Sequence, residues 1–177
     1  VLQSGRPVSC TWEQKHIPAI LQCSFPGEKG GYAIADTLFG DNNPSGRLPI
    51  TYPRHVGQVP CHYTRRPGGG RRYIDMSWTP LYPFGYGLTY GDVRATAVTA
   101  NREVAAVTVE NKGSRATEEV VQLYIKDNGS ADAPTNPILC GFKRVVLAPG
   151  ETKTVELAID PKALTVVNNA GERVPGS

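Results

Sequence analysis

Residues 26–40 (PGEKGGYAIADTLFG) contain the pattern that decides the fold of the first part of the chain. The Pro-Gly pair at the start of this stretch interrupts regular structure. Ile34 and Leu38 lie four residues apart, and a second apolar pair repeats that spacing one residue later, so a helix here has one apolar face. Gly40 stands where a helix C-cap is expected. The pattern therefore predicts a helix over residues 31–39.

Short strands are predicted on either side of this helix. An apolar run at 17–23 precedes it, and residues 48–52, which proline limits on both sides, follow it. A strand, a helix and a second strand make one crossover of an α/β sheet and leave the second face of that sheet uncovered. Such a segment does not bury enough apolar surface by itself. We therefore interpret residues 1–53 as an incomplete part of an α/β sheet.

Residues 54–90 are rich in Gly, Pro, Arg and Tyr and are interpreted as a linker. Arginine pairs at 65–66 and 71–72 flank a Gly-Pro-rich stretch without a basic helix or a stacking platform. A solvated loop is expected there rather than a nucleic-acid site. Large aromatic rings are concentrated in the second half of the linker. Because such rings are costly to expose, we expect that half to lie against other parts of the protein.

The last part, residues 91–177, is predicted to be all-β, because apolar residues alternate along short segments that end in turn sequences. Strands and turns at this spacing are typical of an immunoglobulin-like or fibronectin type III-like β-sandwich. The pattern stops soon after residues 164–167, so the sandwich is expected to lack its last strand. The alternating apolar sets are Ala105, Val107 and Val109; Val121, Leu123 and Ile125; Val145 and Leu147; and Val155, Leu157 and Ile159.

Composition and charge exclude several classes of protein. The 177 residues are 40% hydrophobic and 20% charged, as in ordinary globular proteins, and a net charge of +3 is too small to dictate a polyanionic partner. No apolar run is long enough to cross a bilayer. The four cysteines are widely separated and include no CxxC pair, so a structural zinc site is not expected. Free buried thiols are predicted, with disulfides as the alternative in an exported protein.

Several segments together resemble family 3 glycoside hydrolases of the bacterial periplasmic β-glucosidase type. The first three read PGEKGG, AIADTLFGD and NPSGRLP, and the resemblance covers nearly the whole chain. It implies an enzyme with an N-terminal (β/α)8 barrel, an α/β sandwich and a terminal fibronectin type III-like domain. Residues 1–53 are then the C-terminal part of the α/β sandwich. The segments that carry the resemblance are 26–31, 33–41, 43–49, 52–54, 56–60, 80–90, 119–124, 141–145 and 147–151.

The resemblance also implies a reaction. Such enzymes are retaining, exo-acting glycosidases, in which one carboxylate attacks the anomeric carbon and a second carboxyl group protonates the leaving oxygen. In the family the nucleophile belongs to the barrel, and the acid/base glutamate usually lies upstream of the position matching Val1, so no catalytic residue is assigned to this chain. We expect the parent enzyme to hydrolyse terminal β-linked glucose or xylose in the periplasm or outside the cell. No cofactor, metal, nucleic acid or membrane is expected to take part.

Two other hypotheses remain open. In the first, the chain is a non-catalytic carbohydrate-binding or interaction module, and saturable binding of an oligosaccharide to the chain alone would favour it. In the second, the chain is one half of a two-chain enzyme. The second hypothesis predicts an exposed apolar edge on residues 1–52, which a barrel-containing partner has to cover.

Three residues of the middle segment are candidates for contact with substrate, namely Tyr73, Asp75 and Trp78. Aromatic rings stack on sugar faces and carboxylates accept hydrogen bonds from sugar hydroxyls, so this loop is a candidate for the rim of the parent enzyme's cleft. Anchoring of the linker is the alternative. Asp36 and Asp41 are two further carboxylates, for which a helix-end or turn hydrogen bond is a sufficient role.

The glycine pair at the entrance of the predicted helix, Gly30 and Gly31, is the remaining candidate site. Backbone N–H groups at a helix entrance bind anions in several nucleotide-binding motifs. Neither of the usual glycine-rich phosphate motifs is present, however. Close packing of the helix on a strand is therefore the expected reason for these glycines.

Overall fold

The computed structural model describes residues 1–65 and 75–177. These residues form two compact units, each with its own packing. The first unit consists of Val1–Tyr63 and the described part of Gly70–Gly87, and the second of the described part of Thr64–Gly69 and of Leu88–Ser177. Sheet is more abundant than helix. Among the helices in the described ranges, none has the length and apolar character needed to span a membrane.

The first unit contains helices α1 at Thr11–His16 and α2 at Gly30–Phe39, and a 3-10 helix at Val56–Gln58. α2 confirms the helix predicted over residues 31–39 and begins one residue earlier. Gly40 ends it in the left-handed conformation, with a φ of 87°. α1 has only six residues, too few to show a helical period in the sequence, so the pattern does not predict it.

The prediction of an extended strand on either side of α2 is wrong. In the run at 17–23, Gln22 makes an isolated parallel bridge with Leu2, and in the run at 48–52, Tyr52 makes an isolated antiparallel bridge with Tyr82. Each run contains a proline, which lacks the N–H that a ladder needs. Neither run forms a ladder: the first pairs through one bridge, and the second through one bridge and two backbone hydrogen bonds between Leu48 and residues 85–86. The α/β sandwich stays a prediction.

Apolar side chains on and near α2 face solvent. Phe39 is 85% exposed, and Tyr32, Leu38 and Phe25 are exposed as well. The helix thus presents to water much of the apolar face that its sequence predicts. This is the exposed apolar surface expected on residues 1–52.

The second unit contains seven strands in the described residues. They form three antiparallel sheets, with strand orders β1-β2-β5, β3-β4 and β6-β7. A second 3-10 helix, Pro161–Leu164, precedes β6. The strands are β1 Val93–Ala100, β2 Val104–Asn111, β3 Thr117–Ile125, β4 Ile138–Leu147, β5 Thr152–Ala158, β6 Thr165–Val167 and β7 Arg173–Pro175.

The core of the second unit lies between the first two of these sheets. Val109 of β2, Val155 and Leu157 of β5 and Leu147 of β4 are all buried and form one cluster. Partly buried side chains pack against it, among them Val121 of β3. The alternations predicted for β2, β3, β4 and β5 are thereby confirmed, because their inward positions are the residues that meet in the core.

Two strands of the second unit are not predicted by the sequence pattern. In β1 the pairing register with β2 shifts between Ala95 and Ala97, so the apolar alternation breaks at that bulge. β7 has three residues, too few to show alternation, and pairs with β6 through Val166 and Val174. The expectation that the sandwich lacks its last strand stays a prediction.

The four cysteines, all within the described ranges, are thiols rather than disulfides. Cys10 is buried, and the other three are partly buried. Burial raises the pKa of the Cys10 thiol, and so does the nearby negative charge of Glu13. A thiol with a raised pKa is a poor nucleophile near neutral pH. Cys10 therefore acts as a small apolar side chain.

Candidate functional site

The candidate site is the loop at residues 75–80, which belongs to the first unit. Of the three predicted substrate contacts, Tyr73 lies outside the described residues. Asp75 is exposed, and Trp78 is 41% exposed. The loop thus presents a carboxylate and part of an indole ring to solvent. These are groups that accept hydrogen bonds from hydroxyls and stack on an apolar ring face.

Gln58 and Arg54 anchor this loop. The Gln58 Nε2 donates to the Ser77 carbonyl oxygen at 2.9 Å, and the Arg54 Nε donates to the Thr79 carbonyl oxygen at 3.0 Å. The Gln58 Oε1 also accepts the backbone N–H of Arg54 at 2.6 Å. Within the loop, the hydroxyls of Ser77 and Thr79 are 2.8 Å apart. The Gln58 side chain therefore hydrogen-bonds both to the loop at 75–80 and to the backbone of Arg54.

Local sequence explains why Gln58 points this way. His55 is the N-cap of the 3-10 helix at Val56–Gln58, and its Nδ1 accepts the backbone N–H of Gly57. The preceding carbonyl, that of Arg54, accepts a hydrogen bond from the Thr11 hydroxyl at 2.8 Å. The short helix is thus fixed at its start, which places the Gln58 amide against the loop. Sequence reasoning missed Arg54 and Gln58 because their partners lie 19 or more residues away along the chain.

Of the aromatic residues in the second half of the linker, Tyr82 and Phe84 are partly buried within the first unit, as the sequence predicts, whereas Trp78 and Tyr86 are exposed. Tyr63 and Phe84 stack with ring centroids 4.0 Å apart, and Tyr82 and Tyr86 make a tilted contact at 5.1 Å. Tyr52 is buried and pairs through its backbone with Tyr82. Burial raises the pKa of both Tyr52 and Tyr82, so these phenols stay protonated at neutral pH.

The other candidate carboxylates lie at the end of α2. Both Asp36 and Asp41 are exposed. The Asp36 carbonyl oxygen accepts the backbone N–H groups of Gly40 and Asn42, each at 3.0 Å. The side chain of Asn42 donates to the buried Thr37 hydroxyl, also at 3.0 Å. The backbone of Asp36 thus closes the end of the helix.

The structure corrects the expected reason for the glycine pair. A Cβ on Gly30 would lie 2.5 Å from the Cβ of Pro26, which belongs to the preceding loop rather than to a strand. A Cβ on Gly31 would meet no atom within 4 Å. Only Gly30 is therefore required by close packing, and its neighbour is the Pro26 ring.

The comparisons with known families match both halves of the chain. Residues 1–90 match the glycosyl hydrolase family 3 C-terminal domain, and residues 119–176 match the fibronectin type III-like domain. The first match includes the loop at 75–80 and its anchors. The second includes β4 and β5, whose side chains form much of the core of the second unit.

Individual relatives are similar over nearly all of the chain. A periplasmic β-glucosidase of Salmonella typhimurium is 43% identical over 95% of this chain and 24% of its own length. A β-xylosidase of Formosa agariphila is 39% identical over 100% of this chain and 26% of its own length. The chain thus spans about a quarter of the length of these relatives.

A solved structure shows the same similarity in three dimensions. A β-glucosidase from Erythrobacter marinus matches 97% of this chain and 24% of its own chain, with a TM-score of 0.86 and 40% sequence identity. Sequence and structure therefore agree on the family over both units. The chain belongs to glycoside hydrolase family 3 and contains the family's C-terminal domain together with its fibronectin type III-like domain.

Proposed function

We propose that this chain is the C-terminal scaffold of an exo-acting, retaining β-glycosidase that removes terminal β-linked glucose or xylose. The observation that carries the proposal is the 43% identity to a periplasmic β-glucosidase, spread over 95% of the chain but only 24% of that relative. In this proposal the nucleophile and the acid/base lie in other parts of the parent enzyme, including an N-terminal barrel. The enzyme works in the periplasm or outside the cell.

The candidate carboxylates near α2 have structural surroundings that fit a scaffold role. The Asp36 carbonyl oxygen closes the end of α2, and Asp41 follows directly after that end. A retaining glycosidase needs two carboxyl groups about 5 Å apart on either side of the glycosidic bond, and the proposal places both in other parts of the parent enzyme. The proposal therefore assigns no catalytic residue to this chain.

The loop at 75–80 has a subsidiary role in the proposal, at the rim of the parent enzyme's cleft. In this proposal Asp75 and Trp78 contact the sugar or the group attached to it. Tyr73, which lies outside the described residues, is included on the basis of the sequence alone. The hydrogen bonds from Gln58 and Arg54 support this role, because a loop fixed by two side chains presents its exposed groups at a defined position.

The exposed apolar side chains near α2 fit the same proposal. Three large apolar side chains of α2 are exposed, and so is Phe25 shortly before it. In the parent enzyme the rest of the α/β domain covers these side chains. Burial of a phenylalanine as exposed as Phe39 stabilises an interface by about 2 kcal/mol.

A complementation experiment tests the proposal. A fragment of the Salmonella relative that lacks the matching C-terminal quarter is mixed with this chain, and hydrolysis of an aryl β-glucoside and an aryl β-xyloside is measured. We expect activity from the mixture and none from either part alone. Trp78→Ala should raise KM by about tenfold in the mixture, because the lost contact is worth roughly 1.4 kcal/mol. The matched control is Trp12→Ala, which removes the other tryptophan.

The opposite result has a specific meaning. If the mixture is inactive but the chain alone binds cellobiose or xylobiose saturably, the carbohydrate-binding module becomes the better account. Loss of that binding in Asp75→Ala or Trp78→Ala would then place the sugar on the same loop.

A further inference from the structure

Asn128 is an exposed asparagine that a glycine follows, in the turn after β3. β3 ends at Ile125 and β4 begins at Ile138, so this turn lies outside the ladder that joins the two strands. Gly129 is exposed as well. The two groups that react in asparagine deamidation, the side-chain amide and the next backbone nitrogen, therefore both belong to exposed residues.

The chemistry of deamidation depends on the residue after the asparagine. Its backbone nitrogen attacks the asparagine Cγ, the N–H proton and the side-chain nitrogen leave together as ammonia, and a cyclic imide forms. Water then opens the imide at either of its carbonyl carbons, which gives aspartate or isoaspartate. Glycine favours ring closure, because it has no Cβ to crowd the nitrogen and its backbone reaches conformations that other residues avoid.

The other asparagines of the chain are less suited to this reaction. Asn43 and Asn136 precede prolines, whose nitrogen carries no hydrogen. Asn111 is 0% exposed, and hydrogen bonds hold its side-chain amide. Sequence and burial thus single out Asn128. The remaining asparagines, each followed by a residue with a Cβ, are Asn42, Asn101, Asn168 and Asn169.

The Asp127 carboxylate holds the nitrogen that takes part in this reaction. Its Oδ1 accepts the backbone N–H groups of Gly129 and Ser130, each at 2.9 Å. Ser177 fixes the same carboxylate, because its hydroxyl donates to Oδ1 at 2.6 Å and its backbone N–H donates to Oδ2 at 3.0 Å. The Gly129 N–H has to leave Asp127 before its nitrogen can attack the Asn128 Cγ. This hydrogen bond therefore restrains the reaction.

We propose that Asn128 is a site of spontaneous deamidation, and that the Asp127 carboxylate controls the rate by holding the Gly129 N–H. Water is the only co-reactant, and ammonia is released. Isoaspartate adds a methylene group to the backbone between residues 128 and 129, and either product adds a negative charge beside Asp127. Deamidation thus weakens the hydrogen bonds from Gly129 and Ser130 to Asp127, and with them the contact to Ser177.

The test uses the full chain, incubated at mildly alkaline pH and followed by peptide mapping with mass spectrometry. We expect the peptide that contains Asn128 to acquire the mass of the acid before any other asparagine-containing peptide. Isoaspartate should be present in it, because direct hydrolysis of the amide gives aspartate alone. Asn128→Gln should remove the change. Earlier modification of another asparagine, or aspartate without isoaspartate, would overturn the proposal.

Two matched variants test the role of Asp127. Asp127→Ala removes the acceptor of the Gly129 N–H and should speed deamidation of Asn128 by about tenfold. Ser177→Ala removes a different donor to the same carboxylate and leaves the Gly129 hydrogen bond in place, so it should change the rate by less than about twofold. Hydrogen exchange of the β3 and β4 amides shows that the strands stay folded during the incubation.

A comparison in concentrated urea separates the hydrogen bond from the intrinsic reactivity of the sequence. In the unfolded chain the contact between Asp127 and Gly129 is absent, so Asp127→Ala and the unsubstituted chain should deamidate at the same rate. Equal rates of these two proteins in the folded state would overturn the role of Asp127. A rate difference that persists in urea would overturn it as well, because the effect would then be independent of the fold.

Discussion

Asn111 and Leu147 are joined by a hydrogen bond in the core of the second unit. The Asn111 Nδ2 donates to the Leu147 carbonyl oxygen at 3.2 Å, and both side chains are 0% exposed. The same amide nitrogen donates to the carbonyl oxygens of Arg115 and Ala148, and the Asn111 Oδ1 accepts the Gly113 N–H at 2.9 Å. One buried amide thus connects the end of β2, the turn after it and the end of β4.

Replacing this amide should be strongly destabilising. Asn111→Ala leaves buried carbonyl and N–H groups without their partner, and each unsatisfied group costs about 1–3 kcal/mol. We expect the free energy of unfolding of the second unit to fall by about 3 kcal/mol, as measured by urea denaturation. The control is Asn128→Ala in an exposed turn, which should change it by less than about 0.5 kcal/mol. Similar small changes in both variants would contradict this role of Asn111.

Asp127 should make the stability of the second unit depend on pH. Its carboxylate accepts hydrogen bonds from the Ser177 hydroxyl and from the backbone N–H groups of Ser177, Ser130 and Gly129, which hold the pKa of Asp127 far below its usual range. A carboxyl group with a lowered pKa in the folded state stabilises that state above its unfolded pKa, about 3.9. This stabilisation is lost as the pH falls below that value.

The Asp127→Asn variant provides the check. At neutral pH we expect the unsubstituted chain to be more stable than the variant in urea denaturation. As the pH falls from about 5 toward 2, the difference should shrink, because the unfolded state binds a proton at Asp127 in this range while the folded state does not. A difference that stays constant over this pH range would show that the carboxylate charge does not contribute.

Alanine at each of the two neighbouring glycines of α2 should have opposite effects. At Gly30 the added methyl group would meet the Pro26 ring, so we expect a loss of about 1–3 kcal/mol. At Gly31 the methyl group enters open space in a helix, where alanine is favoured over glycine by about 0.5–1 kcal/mol. Thermal unfolding of the two variants measures both effects. Equal shifts in the same direction would be inconsistent with the contact between Gly30 and Pro26.

Removal of the Gln58 side chain should loosen the loop at 75–80. Gln58→Ala removes the donor to the Ser77 carbonyl oxygen and the acceptor of the Arg54 N–H. We expect faster hydrogen exchange of amides in the loop, with β2 to β5 unchanged, because the change is confined to the first unit. Gln3→Ala, at an exposed position, is the matched control. Unchanged exchange in the loop would mean that other contacts hold it.

The sequence predicts those elements whose side-chain period matches their burial. Val155 and Leu157 alternate in β5 and are buried, and Gly40 ends α2 as a C-cap glycine should. β1 is missed because the bulge at Ala95 shifts its alternation, and the run at 17–23 is misread because an apolar run does not by itself specify a ladder.

The candidate site is only partly predictable for a related reason. Asp75 and Trp78 can be identified from the sequence because a carboxylate and an indole ring are side chains that contact sugars. The structure shows both of them exposed on one loop. Gln58 and Arg54 hold that loop through contacts between distant parts of the chain, which leave no local pattern in the sequence.

The central claim is that the chain supplies structure and not catalysis. The most direct measurement is hydrolysis of an aryl β-glucoside and an aryl β-xyloside by the purified chain alone, compared with a variant in which Asp36, Asp41 and Asp75 are all replaced by asparagine. We expect no turnover above the uncatalysed rate from either protein. Turnover by the unsubstituted chain that disappears in the triple variant would contradict the claim. It would place catalytic carboxylates in this chain.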